Sequence, residues 1–252
     1  HLAHIYATKA EFSLNHNCLG FSFDGTGYGD DGTLWGGEIF IGNKRKYHFK
    51  PIKLLGGDKA IKDIKRVALS MLFDKYDLDK ILKLNLSVLK EFSESEIKIF
   101  YHTYNKNINA FSSSSVGRIF DGIVSLANLS HYISYEGESG LICESNYNKE
   151  IKQYFDYEIL DGEISIKYDF FHKHIVTLFI NTLAKIIVDI SKKEKLDVIL
   201  SGGVFQNKTL LELTVHKLKL ANIKYFTQEQ TPINDGAIAL GQIYYYLNEK
   251  IA

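Results

Sequence analysis

The sequence has few of the residues that staple small extracellular domains together. Its 252 residues include two cysteines, two prolines, one methionine and one tryptophan. Cys18 and Cys143 are isolated from each other, so a disulfide framework and a CxxC zinc site are both excluded. We therefore expect two core thiols and a cytoplasmic location, where thiols stay reduced.

Net charge and long apolar runs are also missing. Thirty basic residues balance thirty acidic ones, so no basic surface for nucleic acid is indicated. No apolar run approaches the roughly 20 residues that span a bilayer, and no basic-then-apolar leader opens the chain. We expect neither a nucleic-acid nor a membrane partner. The length suffices for a large core, and because His1 stands inside a motif without an initiator Met, we expect a fragment of a longer protein.

What the sequence does contain is a glycine-rich stretch at residues 24–38, with six glycines, three aspartates, Glu38 and the tryptophan. Apolar residues 19–23 enter it, and an alternating run at 34–41 leaves it. This pattern predicts a strand, an anion-binding turn in which glycines allow close backbone approach, and a second strand. A surface hairpin with solvated aspartates is the alternative.

Individual acids in this stretch allow more than one role. Asp24 stands at the lip of the turn, where no bulky neighbour screens its carboxylate. For Asp30 and Asp31, we favour a role in ordering the turn through Asx-type hydrogen bonds over a role in catalysis. Glu38 follows two glycines and is a candidate for contact with the substrate or with a residue that supports the ligand-binding residues.

A second anion-binding element lies near the other end of the chain. Residues 197–200 predict a short buried strand, Ser201-Gly-Gly203 a tight turn, and Asn207 the start of a helix. Free N–H groups and the dipole at a helix N-terminus favour phosphate. Together with the Asp24 turn, this element predicts two opposed loops around a nucleotide.

Further elements follow from periodicity and caps. We predict helices at 57–104, 116–127, 169–193 and 237–247, a hairpin pairing 157–160 with 163–168, and a strand at 223–227. His172 and His174 are two residues apart, so on a helix they point away from each other and a structural role is favoured.

Seven motifs stand out along the chain: His1-Leu-Ala-His4, the 24–38 stretch, Leu55 to Ala60, Ser114 to Asp121, Tyr135-Glu-Gly137, Ser201 to Asn207, and Pro232 to Gly236. Together they resemble the C-terminal half of HypF-type carbamoyltransferases, which mature nickel-iron hydrogenases. The resemblance implies an α/β, two-lobed actin/sugar-kinase/Hsp70-like nucleotide-binding fold whose first lobe lacks its opening strands. We assign the remainder of the first lobe to 1–110 and the second lobe to 111–252.

The resemblance also implies site residues. One divalent metal ion, iron or zinc, is expected on His4, Asp24 and Asp235, with a further histidine one residue upstream of His1. His1 itself would be a neighbour, and Asn234 and Asp235 could instead cap a helix. Asp24 and Glu38 are the expected catalytic residues. The residues expected to bind ATP or AMP are Gly25, Gly27, Gly117, Asp121, Gly202, Gly203 and Asn207, although Gly117 and Asp121 also suit a capped structural helix.

The implied reaction moves a carbamoyl group from carbamoyladenylate, made by an upstream HypF domain, to the C-terminal cysteine thiolate of the partner protein HypE. Threonylcarbamoyl transfer to tRNA and O-carbamoylation of a small molecule are alternatives within the superfamily. A catalytically silent scaffold that docks HypE is the alternative from another class. Metal content separates the scaffold from the enzymes, because a scaffold has no need of stoichiometric metal.

Overall fold

The computed structural model of the protein describes the backbone of residues 1–250 and the side chains of residues 1–248. Nine strands form one mixed sheet, with the main order β6-β7-β3-β2-β1-β8-β9, while β5 pairs with β2 and β4. The strands are β1 (Leu19–Tyr28), β2 (Leu34–Ile41), β3 (Lys44–Phe49), β4 (Ile52–Leu55), β5 (Ala110–Ser113), β6 (Tyr157–Leu160), β7 (Glu163–Ile166), β8 (Val198–Ser201) and β9 (Tyr225–Thr227).

Helices cover both faces of this sheet. They are α1 (Leu2–Glu11), α2 (Lys59–Lys62), α3 (Lys65–Lys75), α4 (Leu78–Ile81), α5 (Glu94–Lys106), α6 (Val116–Leu126), α7 (Glu138–Ser145), α8 (Ile175–Glu194), α9 (Lys208–Leu220) and α10 (Ile238–Tyr245). Short 3-10 segments occupy Ser87–Glu91, Gly203–Gln206 and Asp235–Ala237, and a π-helical turn occupies Tyr246–Lys250. The predicted α/β class is confirmed.

Alternation along β1 explains the two layers of core. Leu19, Phe21 and Phe23 belong to a large buried cluster that includes residues of α3, α6 and α8. Gly20 faces the opposite side, where a Cβ would lie 2.7 Å from Ile5 Cδ1 of α1. Because strand side chains alternate between faces, the glycine lets α1 pack closely on the sheet.

The central pair of strands places the functional turns. β1 runs antiparallel to β2 and parallel to β8, with Ser22 opposite Ser201. The turn predicted directly after residues 19–23 is instead a bend within β1, which continues to Tyr28, and we call this bend the Asp24 turn. Because Ser22 lies opposite Ser201, the Asp24 turn and the turn after Ser201 lie side by side. The pairing of β1 with β2 carries an irregularity between Phe23 and Gly27, which bends the strand at this point.

Two of the helices predicted from the sequence differ from the observed ones. The helical pattern predicted over 57–104 is divided into four short helices and a 3-10 segment, and the helix predicted from residue 169 begins only at Ile175. His172 and His174 therefore precede the helix, and the His174 N–H donates to His172 Nδ1 at 3.1 Å. The hairpin across Asp161-Gly162 is confirmed.

The predicted boundary between two lobes at residue 110 falls inside the sheet. β5 begins at Ala110 and pairs with β2 from the first range and with β4, while β8 and β9 of the second range extend the same sheet beside β1. Strand pairing thus continues across residue 110, and the division into 1–110 and 111–252 stays a prediction.

Candidate functional site

A cavity of about 730 Å³ opens beside Asp24 and Gly25 of β1 and the turn that follows β8. It is lined by residues from the β1 turn, α6, the loop into α7, the turn after β8, and the segment before α10. Its predicted members are Asp24, Gly25, Gly117, Asp121, Gly203, Asn207 and Asp235. The predicted residues that do not line it are His4, Gly27, Glu38 and Gly202.

Two histidines lie beside Asp24 and Asp235, which are lining residues of this cavity. His4 Nε2 lies 2.9 Å from Asp24 Oδ2 and 3.4 Å from Asp235 Oδ1. His1 joins them, because ligand atoms of His1, His4 and Asp24 all lie within 4.8 Å of one another. We call these four residues, His1, His4, Asp24 and Asp235, the His/Asp cluster. His1, expected as a neighbour of the metal site or as a ligand in place of the upstream histidine, lies within the cluster.

Buried nitrogen atoms test whether the His/Asp cluster suits a metal ion. Both ring nitrogens of His1 and Nδ1 of His4 are buried and have no hydrogen-bond partner among the described residues. Buried polar atoms are normally paired, so unpaired imidazole nitrogens beside two carboxylates fit a donor set for a cation. The donor types admit both iron and zinc.

The two carboxylates of the cluster have opposite pKa shifts. Burial acts to raise the pKa of Asp24, but the hydrogen bond and charge of His4 outweigh it and the pKa is lowered. Burial and then the negative charge of Asp24 raise the pKa of Asp235. Asp24 therefore carries the negative charge that the imidazoles face.

Asn234 and Asp235 divide the two roles that the sequence leaves open. The Asn234 side chain accepts a hydrogen bond from the Gly236 N–H at 3.1 Å and caps the 3-10 segment. The Asp235 side chain is 74% exposed and lies beside His4. Capping thus belongs to Asn234, which leaves the Asp235 carboxylate available to the cluster.

The glycines of the two turns provide clearance for close packing. Gly202 has φ +103°, and a Cβ there would lie 2.3 Å from the Phe23 carbonyl oxygen. A Cβ on Gly203 would lie 2.9 Å from Asp24 Oδ1. The Gly25 and Gly202 N–H groups already donate to Asp24 Oδ1 and to the Ile233 carbonyl, both protein acceptors. These two glycines therefore supply space rather than free donors.

Glu38 is fully buried beneath the cavity wall rather than in it. Its carboxylate accepts hydrogen bonds from Arg45, from the Ser114 hydroxyl, and from the N–H groups of Gly36 and Gly37. Ser115, the next residue after Ser114, caps α6. In this structure Glu38 fixes the start of α6, and the predicted catalytic role stays a prediction.

Ser115 ties this helix to the turn of β1. Its hydroxyl lies 2.7 Å from the Asp24 carbonyl oxygen and 2.5 Å from that of Gly25, and it accepts from the Arg118 N–H. A Cβ on Gly117 would lie 2.8 Å from the Gly25 Cα, so only glycine permits this contact. The start of α6 is thereby held against the Asp24 turn.

Asp31 orders the hairpin tip, as the Asx interpretation predicts. It accepts from the Thr33 N–H at 3.0 Å and from Trp35 Nε1 at 2.9 Å, and pairs with Arg45. Burial acts to raise the pKa of Asp31, but these hydrogen bonds and the Arg45 charge lower it to about 2. The Arg45 guanidinium also stacks on Trp35, 4.2 Å from the ring centre.

The other end of the cavity holds an arginine that the sequence prediction missed. Arg118 is 3% exposed, lines the cavity, and places Nη1 at 2.8 Å from Asp121 Oδ2. The Ser139 hydroxyl donates to Asp121 Oδ1 at 2.6 Å. Burial raises the pKa of Asp121 to about 6 against the opposing effect of Arg118. A cation in the first turn of a helix was the available sequence signal, since the helix dipole disfavours it there.

Asn207 and the Tyr135-Glu-Gly137 motif complete the wall. The Asn207 side chain caps α9 through the Leu210 N–H and donates to the Gly140 carbonyl at 2.8 Å. Glu136 and Gly137 line the cavity, and a Cβ on Gly25 would lie 2.7 Å from Glu136 Oε1. The motif whose role the sequence left open thus lies over the Gly25 turn.

The chain is similar in sequence to proteins of one known family. The family model described as "Carbamoyltransferase, Kae1-like Domain, second subdomain" matches residues 20–242. The carbamoyltransferase HypF of Synechocystis sp. is 34% identical over 96% of this chain, and the probable carbamoyltransferase HypF of Methanocaldococcus jannaschii is 28% identical over 96%. The chain spans 36% and 34% of these relatives, about a third of their length.

Solved structures agree with the sequence matches. Full-length HypF in a phosphate- and nucleotide-bound form matches all of this chain with a TM-score of 0.87 and 31% identity, over 35% of that protein. HypF of T. kodakarensis matches 97% of the chain with a TM-score of 0.81 and 25% identity, again over 35% of that protein. The predicted nucleotide-binding fold of the actin-like type is confirmed by these matches. The chain belongs to the HypF carbamoyltransferase family, in which it matches the second subdomain of the Kae1-like domain.

Proposed function

We propose that this protein transfers a carbamoyl group from carbamoyladenylate to the C-terminal cysteine thiolate of HypE, in the cytoplasm, during maturation of nickel-iron hydrogenase. The observation that carries the proposal is that Asp24 and Asp235 of the His/Asp cluster line one cavity together with Gly25 and Gly203 of the two glycine turns. The volume of about 730 Å³ lies in the range of small-molecule sites. Family membership supplies the reaction class.

The residues divide the task by their positions. The turns of Gly25 and Gly203 meet beside Asp24, so the phosphate of an adenylate seated there would lie next to the His/Asp cluster. A divalent iron or zinc ion held by His1, His4, Asp24 and Asp235 would polarise the carbamoyl carbonyl. Asp121 lies deeper along α6, and we assign it to the nucleoside side of the ligand.

The acceptor thiolate attacks the carbamoyl carbon, the bond from that carbon to the phosphate oxygen breaks, and AMP leaves. Neither cysteine of the chain suits a covalent intermediate. Cys18 and Cys143 are both buried, and burial raises the pKa of each thiol. Direct transfer to the incoming thiolate is therefore the simpler route.

The test supplies carbamoyladenylate and HypE to the chain and measures one added carbamoyl group on HypE by intact-protein mass spectrometry. Asp24→Asn should abolish transfer. The matched control is Asp197→Asn, because Asp197 makes a similar hydrogen bond to His16 at 3.0 Å outside the cavity. Transfer by the Asp24→Asn variant at the parent rate would contradict the proposal, and HypE binding without transfer by the parent would favour the scaffold.

A further inference from the structure

We propose that Arg118 binds the phosphate of the nucleotide through its guanidinium group, an inference that rests on the nucleotide site of the proposed function. Among the residues of the described chain that line the cavity, Arg118 is the single arginine or lysine. Four carboxylates line the same cavity, those of Asp24, Asp121, Glu136 and Asp235. An adenylate adds a further negative charge, and a buried guanidinium group beside its phosphate would offset part of this charge in addition to a metal ion at the His/Asp cluster.

The position of the Arg118 guanidinium group indicates contact with the phosphate of the nucleotide rather than with its base. Nη1 lies 2.8 Å from Asp121 Oδ2, while Nη2 would lie 3.5 Å from a Cβ on Gly25. The group therefore spans the space between Asp121 and the Gly25 turn. Nε is buried and has no hydrogen-bond partner among the described residues. An arginine has five N–H donors in a fixed fork, and that fork matches the oxygens of a phosphate.

Arg118 contacts the fold through Asp121 and the Ile61 carbonyl oxygen, but its position in the helix indicates a role toward a ligand as well. Arg118 is the third residue of α6, and the first turn of this helix contains no acid. A positive charge there opposes the helix dipole and lowers the stability of the helix. The same geometry favours an anion in front of the helix, where the dipole and the guanidinium act in one direction. Local rules of this kind are broken mainly at functional sites.

The test compares AMP with adenosine, because the two ligands differ only by the phosphate. Calorimetry on the 252-residue chain gives the affinity for each in the parent, Arg118→Met and Arg118→Lys. Arg118→Met should weaken AMP binding about ten- to a hundredfold, the loss expected for a hydrogen bond to a charged group, and change adenosine binding less than about threefold. Arg118→Lys keeps the charge but loses the fork, so an intermediate loss is expected.

Arg66→Met is the matched control. Arg66 pairs with Asp63 three residues away at 2.6 Å, as Arg118 pairs with Asp121, but it lies outside this cavity. This variant should bind both ligands as the parent does. Circular dichroism checks that each variant folds, and if Arg118→Met does not fold, the Arg118→Lys variant decides.

Two results would overturn the inference while leaving the nucleotide site intact. One is an equal loss of AMP and adenosine affinity, which would show that Arg118 acts only by holding Asp121. The other is parent-like AMP binding by both Arg118 variants. A parent chain that binds neither AMP nor adenosine would refute the nucleotide site of the proposed function itself.

Discussion

The two ends of the cavity are built in different ways. The His/Asp cluster gathers residues from α1, the β1 turn and the segment before α10, and both ring nitrogens of His1 and Nδ1 of His4 have no hydrogen-bond partner among the described residues. The Arg118 end comes from α6 and α7, and there Asp121 is paired with Arg118 and Ser139. The unpaired imidazole nitrogens are available to an external ligand, whereas the Asp121 carboxylate already has protein partners, and at Arg118 the Nε group still lacks a hydrogen-bond partner among the described residues.

The comparison predicts that the largest single effect comes from Asp24. Asp24→Ala should lower affinity for Zn²⁺ by at least about a hundredfold, because it removes a ligand and the carboxylate that contacts His4. Adenosine affinity should stay close to that of the parent, because Asp121 is untouched. Titration with Zn²⁺ and with adenosine separates the two ends. Equal losses of both ligands would show that the ends do not act separately.

Gly203→Val should disturb both ends of the cavity at once, and we expect it to have the second-largest effect. Its Cβ would press on Asp24 Oδ1 at 2.9 Å, so we expect weaker Zn²⁺ and AMP binding and a loss of roughly 1–3 kcal/mol in the free energy of unfolding. The control is Gly140→Ala, where a Cβ on the cavity wall meets no atom within 4 Å. If the Gly203→Val variant binds AMP as tightly as the parent, the phosphate does not bind at this turn.

Asp121 should make stability depend on pH. Its pKa is about 6 in the folded protein against an ordinary 3.8, so its contribution to stability is fully present below about pH 4 and is lost as the pH rises through about 6. That difference corresponds to about 3 kcal/mol. In urea unfolding at pH 4.5 and 7.5, Asp121→Asn should show a smaller fall in stability than the parent. An identical fall would mean that Asp121 titrates normally.

The smallest effect is expected at Glu11, which lies far from both ends along α1. Its carboxylate accepts from the N–H groups of residues 229–231 and from the Thr231 hydroxyl at 2.5 Å, and so holds the loop that leads to Asp235. Glu11→Gln should weaken Zn²⁺ binding less than about tenfold, since it moves only the exposed ligand. An unchanged Zn²⁺ titration would show that this loop keeps Asp235 in place without Glu11.

Local chemistry made much of the fold predictable. The strand at 34–41 and the first strand of the hairpin at 157–160 have the predicted bounds, because alternation and the Asp161-Gly162 turn are local signals. The region 57–104 was predicted as one helical stretch because its apolar residues keep a helical spacing throughout. Helix caps divide it into separate helices, and the spacing of apolar residues alone does not reveal them. Asp77 caps α4, and Ser93 with Glu96 forms a capping box at α5, a signature readable in the sequence.

The site was predictable where one short motif supplies the chemistry, and less so where tertiary contact does. His4, Asp24 and Asp235 were expected together from the family resemblance, and the structure brings them together. Arg118 was not singled out, because its meaning depends on the distance from Gly25. Gly25 and Gly202 were expected to bind the nucleotide, and the fold shows in addition that their N–H groups donate to protein acceptors.

The parallel register of β1 and β8 sets an order of events during synthesis. Ser22 and Ser201 are neighbours in space but are separated by most of the chain, so their pairing is a long-range contact that forms slowly. A ribosome must release α1 through β8 before the two glycine turns can face each other. Ligands that need both turns can bind only after that closure, and they then stabilise the folded state in proportion to their free concentration.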